Sequence, residues 1–107
     1  MGWTLVADTS DLAEKTVIGR VFGGLSIAIY RIGGDYFATS NVCTHANGLL
    51  SEGEVVDDYI ECPLHFGLFE IASGKAQGAP VTRDLATFQV RVEGTRIFVQ
   101  LPEQTER

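Results

Sequence analysis

Cys43 and His45 stand two residues apart, Cys62 and His65 three apart, and sixteen residues lie between His45 and Cys62. The remainder of the 107-residue chain holds no cysteine and no histidine. Thiolates and imidazoles are the protein ligands of soft and borderline metals, and two couples on neighbouring loops supply a four-ligand site. Taken singly, each residue fits a plainer role: a free cysteine packs as a small hydrophobe, and a lone histidine is usually a satisfied polar group. Their conjunction argues for a metal, because two scarce residue types fall as two short couples inside one stretch, residues 43–65. A Cys43–Cys62 disulfide needs an oxidising compartment and leaves the histidines unexplained. Structural zinc and an iron–sulfur cluster with mixed ligation both remain open on spacing alone. Zinc fingers, however, usually pair Cys with Cys and His with His, in domains too small to form a core.

The elements that must hold these loops read as strands. Leu25, Ile27 and Ile29 alternate with Ser26, Ala28 and Tyr30, and Gly33-Gly34-Asp35 turns the chain into Tyr36-Phe37-Ala38, a hairpin signature. A second hairpin is predicted from Phe88, Val90 and Val92, the turn Glu93-Gly94-Thr95, and the returning Ile97, Val99 and Leu101. Between them Gly48, Gly53, Pro63, Gly67, Gly74, Gly78 and Pro80 predict short strands joined by tight turns, and this middle part carries the four candidate ligands. One turn of helix is expected over Leu12 to Lys15, after Asp11, and Glu103 to Arg107 read as a fraying polar tail. The expectation is one all-β domain over residues 1–107, with a ligand-bearing part at about 43–85 and a base built from the flanking strands.

Composition removes several function classes. Fourteen acidic against eight basic residues give a net charge of −6, and no Lys/Arg cluster is available to hold phosphates, so nucleic acid is not an expected partner. No apolar run approaches the roughly 20 residues that span a bilayer. Residues 1–8 lack the basic start and apolar stretch of a secretory signal, so a cytoplasmic location is expected. Glu52, Glu54, Asp57, Asp58 and Glu61 lie between the two couples with no Lys or Arg among them. That segment is either a solvated strand pair or a docking surface for a basic partner.

Cys43-Thr44-His45 and Cys62-Pro63-Leu64-His65, with the gap between them, resemble the Rieske motif, Cys-x-His followed by Cys-x-x-His. The resemblance extends over nearly the whole chain: hairpin-rich flanks, a short ligand-bearing insert, Phe66, Gly67 and Phe69 after the second histidine, and Gly78-Ala79-Pro80, similar to the family's proline loop. It implies the Rieske fold, an antiparallel sandwich or barrel-like base with a small subdomain of hairpin loops. It also implies one [2Fe-2S] cluster, with Cys43 and Cys62 on one iron and His45 and His65 on the other. Ala46 departs from the glycine often found after the first histidine, and Asn47-Gly48 is available to absorb that turn.

Two ferric ions, two sulfides, two thiolates and two neutral imidazoles carry no net charge, whereas an all-cysteine cluster is anionic. An added electron therefore meets less repulsion, and the potential lies above that of plant-type ferredoxins. Rieske proteins of respiratory and photosynthetic complexes add a disulfide beside the cluster, at places that here hold Asn47 or Gly48 and Leu64. They also aim Ser and Tyr hydroxyls at it, whereas Leu68 follows Gly67 here. Fewer donors predict a midpoint potential low in the Rieske range, roughly −150 mV, and a redox titration with a strongly positive midpoint would overturn this.

Rieske oxygenases add a catalytic domain whose mononuclear iron needs further histidines, and this chain has none to spare. The resemblance therefore implies a soluble one-electron carrier, not an enzyme. It would pass electrons from a flavin-dependent ferredoxin reductase to the terminal oxygenase of a ring-hydroxylating dioxygenase system, with transient docking near His45 and His65. A Rieske-like small subunit bound permanently in a larger reductase, such as a nitrite reductase, is the alternative.

Overall fold

The computed structural model describes residues 2–44, 48–64, 66–78 and 83–102. Among the described residues, ten strands form three antiparallel sheets. The first sheet has the order β1 (Gly2–Asp8), β10 (Arg96–Leu101), β9 (Val90–Glu93). The second runs β2 (Val17–Phe22), β3 (Leu25–Ile32), β4 (Asp35–Ser40), β8 (Thr87–Phe88), and the third runs β5 (Glu54–Val56), β6 (Tyr59–Glu61), β7 (Leu68–Glu70). The all-β expectation holds, and both predicted turns form: Ile32 faces Asp35 across Gly33-Gly34, and Glu93 faces Arg96 across Gly94-Thr95. Phe88, expected in the first arm of the second hairpin, instead lies in β8 and pairs with Ala38, so that arm begins at Val90. Gly33 and Gly94 sit at φ +62 and +64, the left-handed backbone a two-residue hairpin needs at its first central position and only glycine adopts without a Cβ clash.

The alternation in β3 conceals a more consequential arrangement. Ile27 and Ile29 face a base core with Val6, Leu12, Ala38, Ile97 and Val99, while Ala28 and Tyr30, on the opposite face, are equally buried in a second core. That second core contains Leu50, Ile60, Phe69, Ile71 and Leu85 together with Cys43 and Cys62. β3 is thus a spine shared by the base and the ligand-bearing part. Tyr30 is polar only at its tip, where its hydroxyl lies 2.8 Å from Thr39 Oγ1. Burial pushes that phenol above its ordinary range and the Thr39 contact only partly offsets this, so it stays protonated.

Two elements escaped the sequence reading and one was misplaced. β1 and β2 were not predicted, although Gly23-Gly24 joins β2 to β3 as a hairpin with both residues at positive φ, the type I′ requirement. β1 is interrupted by a register shift between Leu5 and Ala7, which blurs its period of two. The helical turn expected over 12–15 is instead a 3₁₀ turn at Thr9–Leu12. Asp8, not Asp11, is its N-cap: the Asp8 carboxylate accepts from the Ser10 amide at 3.0 Å, and Asp11 reaches back to the Asp8 amide at 3.0 Å. The tail from Glu103 lies outside the described residues.

Candidate metal centre

Two loops built alike converge on the second core. In each, a cysteine amide donates to the carbonyl of the glycine five residues on: Cys43 to Gly48 at 2.9 Å, and Cys62 to Gly67 at 2.7 Å. Each bond closes a neck and throws out a four-residue excursion, 44–47 or 63–66, in which the sequence places one histidine. The first neck is extended by the Val42–Leu49 bridge, and the second grows from β6 into β7 through the Ile60–Phe69 and Glu61–Leu68 pairs.

The necks bring the two cysteines together. Cys43 is 3% exposed and Cys62 fully buried, no disulfide joins them, and their thiols lie near enough to interact. Burial pushes the Cys62 thiol up to about 11; the Leu64 amide, donating to its sulfur at 3.4 Å, pulls the other way, and the neighbouring Cys43 raises it further. The fold therefore holds Cys62 as a thiol at neutral pH. Close packing fixes this half of the site: a Cβ on Gly48 would lie 3.3 Å from Cys62 Sγ and 3.0 Å from Leu64 Cγ. His45, Ala46, Asn47 and His65, and Ala79-Pro80 of the expected proline loop, lie outside the described residues. The structure nonetheless ties the first loop to the segment after that proline, since Thr44 Oγ1 donates to the Arg83 carbonyl at 2.7 Å.

The acidic segment is the β5–β6 hairpin with its turn. Glu54 and Glu61 are directly opposed, like charges facing across a strand pair, and Asp57-Asp58 form the turn with Asp57 at φ +55. Among the described residues the ion pairs are Arg20–Asp11 and Arg91–Glu93, and neither touches this segment. A shallow cavity of about 390 Å³ beside the second cysteine is lined by Glu52, Gly53, Glu54, Glu61, Cys62, Pro63 and Phe66. Phe66 is 69% exposed at φ +58, a backbone conformation that costs a bulky residue roughly 1–3 kcal/mol. A larger groove, about 570 Å³, runs along Tyr36 and Phe88 beside the base core and Phe37 and Ile71 beside the second core. Neither cysteine lines that groove, and no carboxylate does.

Two buried thiols near enough to interact, held by matched necks with an amide aimed at one sulfur, fit the thiolate half of a [2Fe-2S] site. Asn41, Ser51, Thr44 and the Leu64 amide were not singled out from sequence, because their roles depend on which carbonyl or amide the loops bring near.

Comparison with known proteins bears on the same residues. Residues 2–89 match the Rieske [2Fe-2S] domain family. The chain is 38% identical over 99 residues to the ferredoxin component of the naphthalene 1,2-dioxygenase system of Pseudomonas putida, covering 92% of this chain and 95% of that one. It is 38% identical over 101 residues to the ferredoxin component of biphenyl 2,3-dioxygenase of Rhodococcus jostii (strain RHA1), covering 94% of each. Its fold superposes with a TM-score of 0.84, at 35% identity, on a solved complex of reduced oxygenase and oxidized ferredoxin in carbazole 1,9a-dioxygenase, covering 91% of this chain and 100% of that one. The chain belongs to the Rieske [2Fe-2S] domain family, and within it to the ferredoxin components of dioxygenase systems, electron carriers with a single cluster.

Proposed function

We propose that this ferredoxin carries one electron at a time from a flavin-dependent reductase to the terminal oxygenase of a ring-hydroxylating dioxygenase system in the cytoplasm. The observation that carries the reading is the meeting of Cys43 and Cys62, buried and near enough to interact, at the necks of two matching loops whose excursions contain His45 and His65. Cys43 and Cys62 would ligate one iron, and His45 and His65 the other. When bound, such a cluster accepts and returns a single electron without a proton-linked bond change in a substrate. The residues around it hold its ligands: Leu64 N–H stabilises negative charge on the Cys62 sulfur, and the second core excludes water from both thiolates. Zinc gives no account of a Rieske family match over residues 2–89. The test is electron paramagnetic resonance of dithionite-reduced protein, in which the signal of a two-iron cluster with nitrogen ligands is expected and a silent, zinc-bearing protein overturns the reading.

Partners would approach at the tips of the loops, where Leu64 and Phe66 are exposed beside the acidic hairpin. Because no cation of the described residues pairs with that hairpin, its field is free to steer a basic patch on a partner. Electron transfer to the oxygenase is expected to slow by about tenfold between low and high salt. The double variant Asp57→Asn, Asp58→Asn should flatten that salt dependence while leaving the absorption spectrum unchanged. A rate indifferent to ionic strength removes the steering role.

A further inference from the structure

The neck of the first loop is locked by a side chain that the metal chemistry does not use. Asn41 follows β4 directly and is 3% exposed. Its Oδ1 accepts from the Ser51 amide at 2.8 Å, and its Nδ2 donates to Ser51 Oγ at 3.0 Å and, at a longer 3.4 Å, to Ser26 Oγ. Its main chain is equally committed: the amide donates to the Ser26 carbonyl at 2.9 Å, and the carbonyl accepts from the Leu50 amide at 2.7 Å. From there the Val42–Leu49 bridge and the Cys43–Gly48 bond continue the closure up to the cysteine. Asn41 therefore joins three pieces of chain: the strand entering the loop, the 3₁₀ turn leaving it at Leu50–Glu52, and the spine strand β3. β2 covers the joint from outside, because a Cβ on Gly19 would stand 2.9 Å from Asn41 Nδ2 and 2.7 Å from Ser51 Oγ.

We propose that Asn41 is a positioning residue for the cluster: by gripping Ser51 with both ends of its amide, under cover of Gly19, it fixes the direction in which the neck of the first loop presents Cys43. The inference rests on the ligand assignment proposed above. An amide suits the task because one planar group offers an acceptor and a donor to a single residue, which fixes rotation as well as distance. An apolar side chain of similar size would remove both partners from Ser51, which is half-buried, and with them the tie between strand end and 3₁₀ turn.

The test uses holoprotein carrying Asn41→Ala, Ser51→Ala or Gly19→Ala. It measures cluster loss to a chelator, the g-values and midpoint potential of the cluster, and backbone circular dichroism in parallel. Asn41→Ala should lose its cluster about tenfold faster, the size of one to two net hydrogen bonds, with displaced g-values and potential and unchanged backbone signal. Ser51→Ala keeps the bond between Oδ1 and the amide and should show a smaller change of the same kind. Gly19→Ala, in a strand that carries no ligand, should move the same signals in the same direction. Wild-type kinetics and spectra in Asn41→Ala overturn the proposal; should that variant not fold, the same result in both Ser51→Ala and Gly19→Ala does so. Wild-type protein that holds no iron overturns the ligand assignment, and this inference with it.

Discussion

Cys62→Ala protein should be colourless, with no visible absorption and no paramagnetic signal after reduction, and electron transfer to an oxygenase should fall to background. The thiol is fully buried near Cys43, and no other cysteine in the chain can replace it. Alanine leaves the neck bond from its own amide to Gly67 available, so the backbone should stay folded and the loss should be confined to the cluster. Leu64→Ala is the matched control for colour and paramagnetic signal alone: Leu64 reaches the sulfur through its backbone amide, which alanine retains, whereas its side chain, packed beside Gly48 at the proposed docking tip, is expected to alter electron transfer. Iron-bearing, coloured Cys62→Ala protein would refute the assignment of that thiol as a ligand.

Phe69→Ala should cost about 3–5 kcal/mol of folding stability, as expected for removing a fully buried aromatic side chain. The site of the cost matters more than its size. Phe69 lies in the core that also holds both cysteines, whereas Ile97 lies in the base core, and β3 separates the two. In denaturant titrations Phe69→Ala should bleach before its far-ultraviolet dichroism is lost. Ile97→Ala, with a cost of about 2–5 kcal/mol, should lose colour and backbone signal together. Coincident transitions in Phe69→Ala would show that the second core does not govern cluster retention separately.

The hairpins at Gly33-Gly34 and Gly94-Thr95 were legible because two signals agreed, an apolar period of two and a glycine where the turn needs positive φ. β1 was missed because its bulge at Leu5/Ala7 breaks that period, and the cap moved because Asp8 and Asp11 both look like helix starts until their reciprocal bonds are seen. β3 was legible in part. Its alternation marks a strand but does not say what each face meets: Ala28 and Tyr30 are as buried as Ile27 and Ile29, because a second core lies on their face. Residue type and spacing pointed to Cys43 and Cys62, since metals demand particular donor atoms, and the structure brings these two together. Asn41 was not visible, because an asparagine at a strand end announces a turn and gives no sign of what its amide will grip.

β3 also determines where sequence change can be absorbed. A slip of one residue in its pairing would deliver the isoleucines to the thiols and the tyrosine to the base, spoiling both interiors at once. Substitutions at the exposed Leu64, Phe66 and Asp57-Asp58 leave that register intact, so change at the surface there is absorbed without touching either interior.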